Sequence, residues 1–176
     1  MKIEFLKLGY LQTNCYFLIK DNKVLLIDPA DEFDKIVEKL EDLTLVGVIV
    51  THNHPDHVGA LKEVLEKYQV KLYDFSNMQE GDNRIDNFHF DVIYTPGHTS
   101  DSITIYFKEE KVMFVGDFIF KNSVGRTDLP SGNYNEMLKS ITKIKEYPDV
   151  KIYPGHGELT SLEYEKKCNE FFNITK

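Results

Sequence analysis

Three of the chain's six histidines fall within six residues, in Thr51-His52-Asn53-His54-Pro55-Asp56-His57, with an aspartate among them. Imidazoles and carboxylates are the ligands that zinc, iron or manganese take, and one short loop carrying four of them has little entropy left to lose in gathering them. A polar surface turn is the bland alternative, but it leaves the chain's other donors unexplained. His98, Asp117 and His156 each follow an apolar run: Val92-Ile93-Tyr94 leads to Thr95-Pro96-Gly97-His98, Met113-Phe114-Val115 to Gly116-Asp117, and Ile152-Tyr153 to Pro154-Gly155-His156-Gly157. Val48-Ile49-Val50 leads to His52 in the same way. Open sheets commonly place their ligands in the loops at the carboxyl ends of strands, so four such ends define one candidate site.

The positioning elements follow from periodicity. Runs rich in Val, Ile, Phe and Tyr predict strands near 2–8, 14–20, 23–28, 45–50, 70–73, 88–94, 102–107, 111–116 and 150–153. Helical stripes run through Phe33, Ile36, Val37 and Leu40, through Val58, Leu61, Val64, Leu65 and Tyr68, and through Tyr134, Met137, Leu138, Ile141 and Ile144. Thr160 and Glu163 have capping-box spacing at the start of a last helix whose Tyr164, Cys168 and Phe171 would share a core face. Asp21-Asn22 and Glu109-Glu110 read as hairpin turns, and 75–87 reads as a loop. Two similar halves of strands and helices imply an α+β fold: a four-layer sandwich of two mixed sheets with helices outside, in a single domain of residues 1–176.

Composition narrows the partners. With 41 % hydrophobic and 28 % charged residues the chain is an ordinary globular protein, and a net charge of −8 disfavours nucleic acid while leaving small molecules open. Cys15 and Cys168 are too few and too far apart for a disulfide scaffold or a metal motif. Cys15, in a strand beside aromatic residues, reads as a small core residue, and His89 as solvent-facing. No apolar stretch suits export or a membrane span, so a cytoplasmic protein with no membrane partner is expected. Oligomeric state is left open.

The motif at 51–57, His98, Asp117 and His156, in this order over most of the chain, resembles the metallo-β-lactamase superfamily. The resemblance implies the αββα sandwich and two divalent metal ions, zinc first, with iron or manganese as alternatives. It places His52, His54 and His98 on one metal and Asp56, His57 and His156 on the other, with Asp117 bridging. An aspartate at 117, where many lactamases of this fold carry cysteine, points away from antibiotic hydrolysis. His54 and His57 together do not match the redox di-iron branch.

Thr13-Asn14-Cys15-Tyr16, Ile27-Asp28-Pro29 and Gly125-Arg126-Thr127-Asp128-Leu129-Pro130 are further similar to glyoxalase II-like (hydroxyacylglutathione hydrolase-like) enzymes. These imply hydrolysis of a small thioester such as S-lactoylglutathione by a hydroxide bridging the metals and oriented by Asp56. Asp28 either organises a loop near the metals or begins a turn. Arg126 either binds a substrate carboxylate or pairs with Asp128, the latter favoured. Only twenty residues follow His156, too few for the helical region that long glyoxalase II enzymes use to hold glutathione, so the thiol carrier is open. Ser100 to Ser102 also lack the glycine that the family often carries just past the His98 position.

The leading alternative is a one-iron persulfide dioxygenase, which shares the GRTD segment. Those enzymes usually read Cys-Gly-Arg-Thr-Asp-Phe, whereas Val124 and Leu129 flank the segment here. A lactonase or phosphodiesterase of the same fold is the next alternative, and a non-catalytic binding module the last.

Overall fold

Strands β1 (Lys2–Leu8), β2 (Thr13–Lys20) and β3 (Lys23–Ile27) form an antiparallel meander in the computed structural model, which describes residues 1–174. The β2–β3 turn is Asp21-Asn22 as the sequence predicts, with φ values of 52° and 60°. Two successive positive φ angles are what a two-residue hairpin with native twist demands, and Asp and Asn tolerate them. Helix α1 (Phe33–Lys39) crosses to β4 (Thr44–Ile49), which pairs parallel with β3; β5 (Leu72–Tyr73) adds parallel to β4. The single helix expected around 58–68 is two: α2 (Pro55–Val58) is one turn, and α3 (Leu61–Tyr68) restarts after Ala60. The break has a hydrogen-bond cause, because Ala60 N–H donates to Pro29 O at 3.0 Å.

The second sheet begins with β6 (Gly81–Ile85), β7 (Phe88–Tyr94), β8 (Ile103–Phe107) and β9 (Val112–Gly116), all antiparallel neighbours. β6 lies within the stretch expected to be a loop. Its sequence, GDNRI, has one apolar side chain because it is an edge strand with little to bury, and so it carries no periodic signal. A small hairpin, β10 (Ile119–Phe120) and β11 (Ser123–Val124), follows. Helix α4 (Tyr134–Lys145) then leads to β12 (Lys151–Pro154), parallel to β9, and β13 (Thr160–Ser161) closes the other edge. Helices α5 (Leu162–Cys168) and α6 (Glu170–Ile174) end the described chain.

Strict alternation assembles the layers. Tyr16, Leu18, Leu25 and Ile27 face the second sheet and meet Phe90, Ile105, Phe107 and Phe114 between the sheets. Their neighbours Cys15, Phe17, Val24 and Leu26 face outward onto Ile36 of α1 and Val64 of α3. On the other side, Met113, Val115 and Ile152 pack against Met137, Ile141 and Ile144 of α4 and against Leu162 and Phe172. Strands buried on both faces become near-continuous apolar runs, which is why the central ones were readable. The result is the expected four-layer α+β sandwich. Among the described residues no helix is long and apolar enough to cross a membrane.

The last helix departs from expectation twice. Ser161, not Thr160, is the N-cap and accepts from Tyr164 N–H at 3.2 Å, because Thr160 is held in β13 opposite Ile152. Cys168 is exposed rather than core. The buried face carries Leu162, Glu165, Asn169 and Phe172, and two polar residues on it turned the hydrophobic pattern toward the wrong side. Cys15 is buried, with burial pushing its thiol pKa up, and His89 is exposed against Asp82, both as expected.

Candidate metal centre

The one-turn helix α2 is the centre's scaffold. His54 is its N-cap in extended conformation, Pro55 opens the helix, and Asp56 and His57 follow in its first turn. His52 comes directly from the end of β4, His98 from the loop after β7, Asp117 from the end of β9, and His156 from the loop after β12. All seven converge on one edge of the sandwich. His54 Nδ1 lies 3.2 Å from His52 Nε2 and 2.9 Å from His98 Nε2. His156 Nε2 lies 3.0 Å from Asp56 Oδ2, which is 3.6 Å from His57 Nε2. Asp117 stands between these two triads: Oδ1 is 3.2 Å from His57 Nε2, and Oδ2 is 3.6 Å from His98 Nε2 and 3.5 Å from His156 Nε2. Within each of the groups His52/His54/His98 and Asp56/His57/His156, the candidate ligand atoms lie within 4.8 Å of one another.

Hydrogen bonds behind the rings fix which nitrogen each presents. Thr51 Oγ1 donates to Asp28 Oδ2 at 2.7 Å and so is left to accept from His52 Nδ1 at 3.2 Å. His57 Nδ1 donates to Asp28 Oδ2 at 2.9 Å, His98 Nδ1 to Arg126 O at 2.7 Å, and His156 Nδ1 to Leu11 O at 3.1 Å. In neutral rings all four Nε2 atoms are then bare lone pairs, and they point at other lone pairs. His57 Nε2 and Asp117 Oδ1 are buried without a hydrogen-bond partner. Converging acceptors with nothing to accept from are costly unless a cation sits among them, so the donor set fits divalent metal ions. Imidazoles with carboxylates suit zinc, iron and manganese alike.

Protonation agrees with that fit. Burial, aided by neighbouring His57, drives the His52 pKa down to about 2, and burial beside His98 lowers that of His54. Burial opposes ionisation of Asp117, but the neighbouring His156 and His57 rings prevail and hold it below the usual carboxylate range; the His156 contact does the same for Asp56. His57 and His156 behave oppositely. Burial disfavours their cations, yet Asp28 and Asp117 raise His57 to about 10, and Asp117 and Asp56 raise His156 to about 9. Without metal both rings are therefore protonated at neutral pH, and metal must displace those protons. Loading zinc at pH 7.5 is expected to release about two protons per chain, with affinity rising up to about pH 10. Calorimetry in two buffers of different ionisation enthalpy measures this; release of none would contradict the arrangement.

Several contributors lie outside the seven candidate ligands. Thr13 Oγ1 donates to Asp56 Oδ2 at 3.1 Å, and Asn14 bonds Gly155 O through its N–H at 2.7 Å and Pro154 O through Nδ2 at 2.9 Å, tying the start of β2 to the loop that carries His156. Leu11 acts through its carbonyl, for which no side-chain signal exists. Asp28, buried with φ 52°, does more than start a turn: besides His57 and Thr51 Oγ1 it accepts from Thr51 N–H at 2.8 Å. The Arg126 side chain is exposed and grips Asp128 through two 2.7 Å bonds, while its main-chain carbonyl meets His98.

The Metallo-beta-lactamase superfamily model matches residues 8–74 and 79–156. The chain is 31 % identical to the hydroxyacylglutathione hydrolase GloC of Haemophilus influenzae, covering 98 % of this chain and 99 % of that one. Its fold superimposes on the BLEG-1 B3 metallo-beta-lactamase with a TM-score of 0.92 at 30 % identity, over 97 % and 99 % of the two chains. TTHA1623, in a di-iron-bound form, gives 0.88 at 28 %, over 96 % and 99 %. With the cluster's ligand chemistry and the sandwich that carries it, these likenesses identify the chain as a member of the metallo-β-lactamase superfamily.

Proposed function

We propose that the chain is a thioester hydrolase using two divalent metal ions, with S-lactoylglutathione as the representative substrate. The observation that carries this reading is Asp117 standing between two triads of donors, within 3.6 Å of ring nitrogens from both. Likeness to GloC over nearly the whole of both chains supports the substrate class. His52, His54 and His98 would hold one ion and Asp56, His57 and His156 the other, with Asp117 shared between the two groups. Zinc is the first choice, and the di-iron form of TTHA1623 keeps iron in view.

When bound, the metals would supply a water with a pKa of about 7 and a Lewis acid for the substrate carbonyl. The protein supplies the remainder. Asp56, its Oδ2 fixed by Thr13, orients the attacking water, and Asp28 keeps His57 in the one tautomer that presents Nε2 inward. A departing thiol has a pKa of about 8.5, so it leaves as thiolate with little help from an acid. Likeness to BLEG-1 makes β-lactam hydrolysis the second reading, with the aspartate at 117 counting against it.

Elemental analysis of the purified protein with assays on S-lactoylglutathione and a β-lactam separates these. Two metal equivalents per chain with thioester turnover is the expected result. Turnover of the β-lactam alone favours the second reading, and one iron with oxygen consumption on glutathione persulfide replaces both with a dioxygenase.

A further inference from the structure

A carboxylate with no place in the hydrolysis is buried beneath the second sheet. Glu165 on α5 is fully buried, where an apolar side chain would pack without the cost of desolvating a polar group. Three donors meet it: Asn122 N–H at 2.9 Å and Asn169 Nδ2 at 2.8 Å on Oε2, and Thr160 Oγ1 at 2.5 Å on Oε1. Asn169, equally buried, also donates to Ser123 O at 3.0 Å. One pair of side chains therefore holds both the N–H of Asn122 in the turn after β10 and the carbonyl of Ser123 where β11 begins.

That hairpin is strung between site residues. It begins two residues after Asp117 and ends at Gly125-Arg126, whose Arg126 carbonyl receives the His98 Nδ1–H. There is no slack at Gly125: a Cβ there would lie 1.8 Å from Asp117 O and 3.0 Å from His98 Nδ1. Phe120, on the same hairpin, has its ring centroid 6.1 Å from that of His156. The geometry points to Glu165 as a positioning residue that, with Asn169, locks the 122–123 turn and through it the Arg126 carbonyl that orients His98. Groups that orient a ligand imidazole typically govern metal affinity by about 10–100-fold. The effect on zinc rests on the metal reading proposed above; the effect on the His98 ring does not.

The test compares wild type, Glu165→Gln and Asn169→Ala, each zinc-loaded and labelled with ¹⁵N-histidine. In both variants the His98 Nδ1–H resonance is expected to shift and exchange faster with solvent, while that of His57, held by Asp28, stays in place. Zinc affinity, read by competition with a chromophoric chelator, is expected to fall about tenfold or more. A lowered melting temperature with an unmoved His98 resonance and unchanged zinc affinity would make Glu165 a packing group only and overturn the proposal. Should Glu165→Gln not fold, Asn169→Ala, which keeps the carboxylate but cuts the link to Ser123, decides by the same readouts. If wild type binds no zinc, the zinc assignment fails, and the His98 resonance of the metal-free proteins still decides the positioning.

Discussion

Replacing Asp117 by alanine is expected to lower kcat/KM for the thioester by about 10³-fold or more, which corresponds to about 4 kcal/mol of lost transition-state stabilisation. Asp117 is the carboxylate whose oxygens approach ring nitrogens on both sides, 3.2 Å from His57, 3.5 Å from His156 and 3.6 Å from His98. Alanine leaves the main chain intact, since the Asp117 carbonyl packed against Gly125 does not depend on its side chain. It separates the two triads. The His52/His54/His98 triad keeps its three nitrogens and one metal, whereas the Asp56/His57/His156 triad loses the anion that helped it hold a second. Proton release on metal loading should fall as well, because His57 and His156 lose a carboxylate that raises their pKa. Asp117→Asn, which keeps the shape and drops the charge, should lie between alanine and wild type. Undiminished hydrolysis by the alanine variant with two metals bound would sink the two-metal assignment.

Much of this was readable because the elements that matter are the most regular ones. Strands β4, β9 and β12 are buried along most of their length and β7 alternates, so they appear as apolar runs, and His52, Asp117, His156 and His98 stand just past the ends of those runs. What escaped reading is carried by main-chain atoms or by polar residues placed inside. The carbonyls of Leu11 and Arg126 orient His156 and His98, and no side-chain pattern encodes a carbonyl's direction. Glu165 and Asn169 occupy the core face of the last helix, so a search for apolar periodicity chose Tyr164 and Cys168 instead. Edge strand β6 buries too little to be periodic.

Those unreadable contacts share a logic. Each joins a loop of one sheet to an element distant in sequence: Leu11 and Asn14 from the first sheet reach the loop of His156, and Arg126 reaches His98 across the second sheet's end. Donors that sit on separate strand ends need such ties, because a strand fixes where its loop departs but not where a ring rotates. The sandwich sets position to within a few ångströms, and the ties behind each ring set the direction of its lone pair.

Gly155→Ala is the complementary prediction, since it leaves every ligand in the sequence and disturbs only their placement. A Cβ at 155 would lie 2.3 Å from Asp117 Oδ1 and 2.6 Å from His57 Cε1, distances no relaxed structure tolerates. Gly155 does not have a positive φ, so alanine meets no backbone penalty and the whole effect is steric. Both contacting groups must retreat by about 1 Å, and a displacement of that size typically costs about 10²-fold in rate. The same retreat should weaken the second metal, leaving fewer than two equivalents after dialysis. Gly157→Ala is the control. Gly157 has φ +78° and open space around its Cβ position, so alanine there strains the backbone by about 1–2 kcal/mol while touching no ligand. Gly155→Ala should thus lose activity and metal, and Gly157→Ala should lose melting temperature while keeping both. Equal loss of activity in the two variants would mean that the loop's backbone, and not the space between Asp117 and His57, controls the centre.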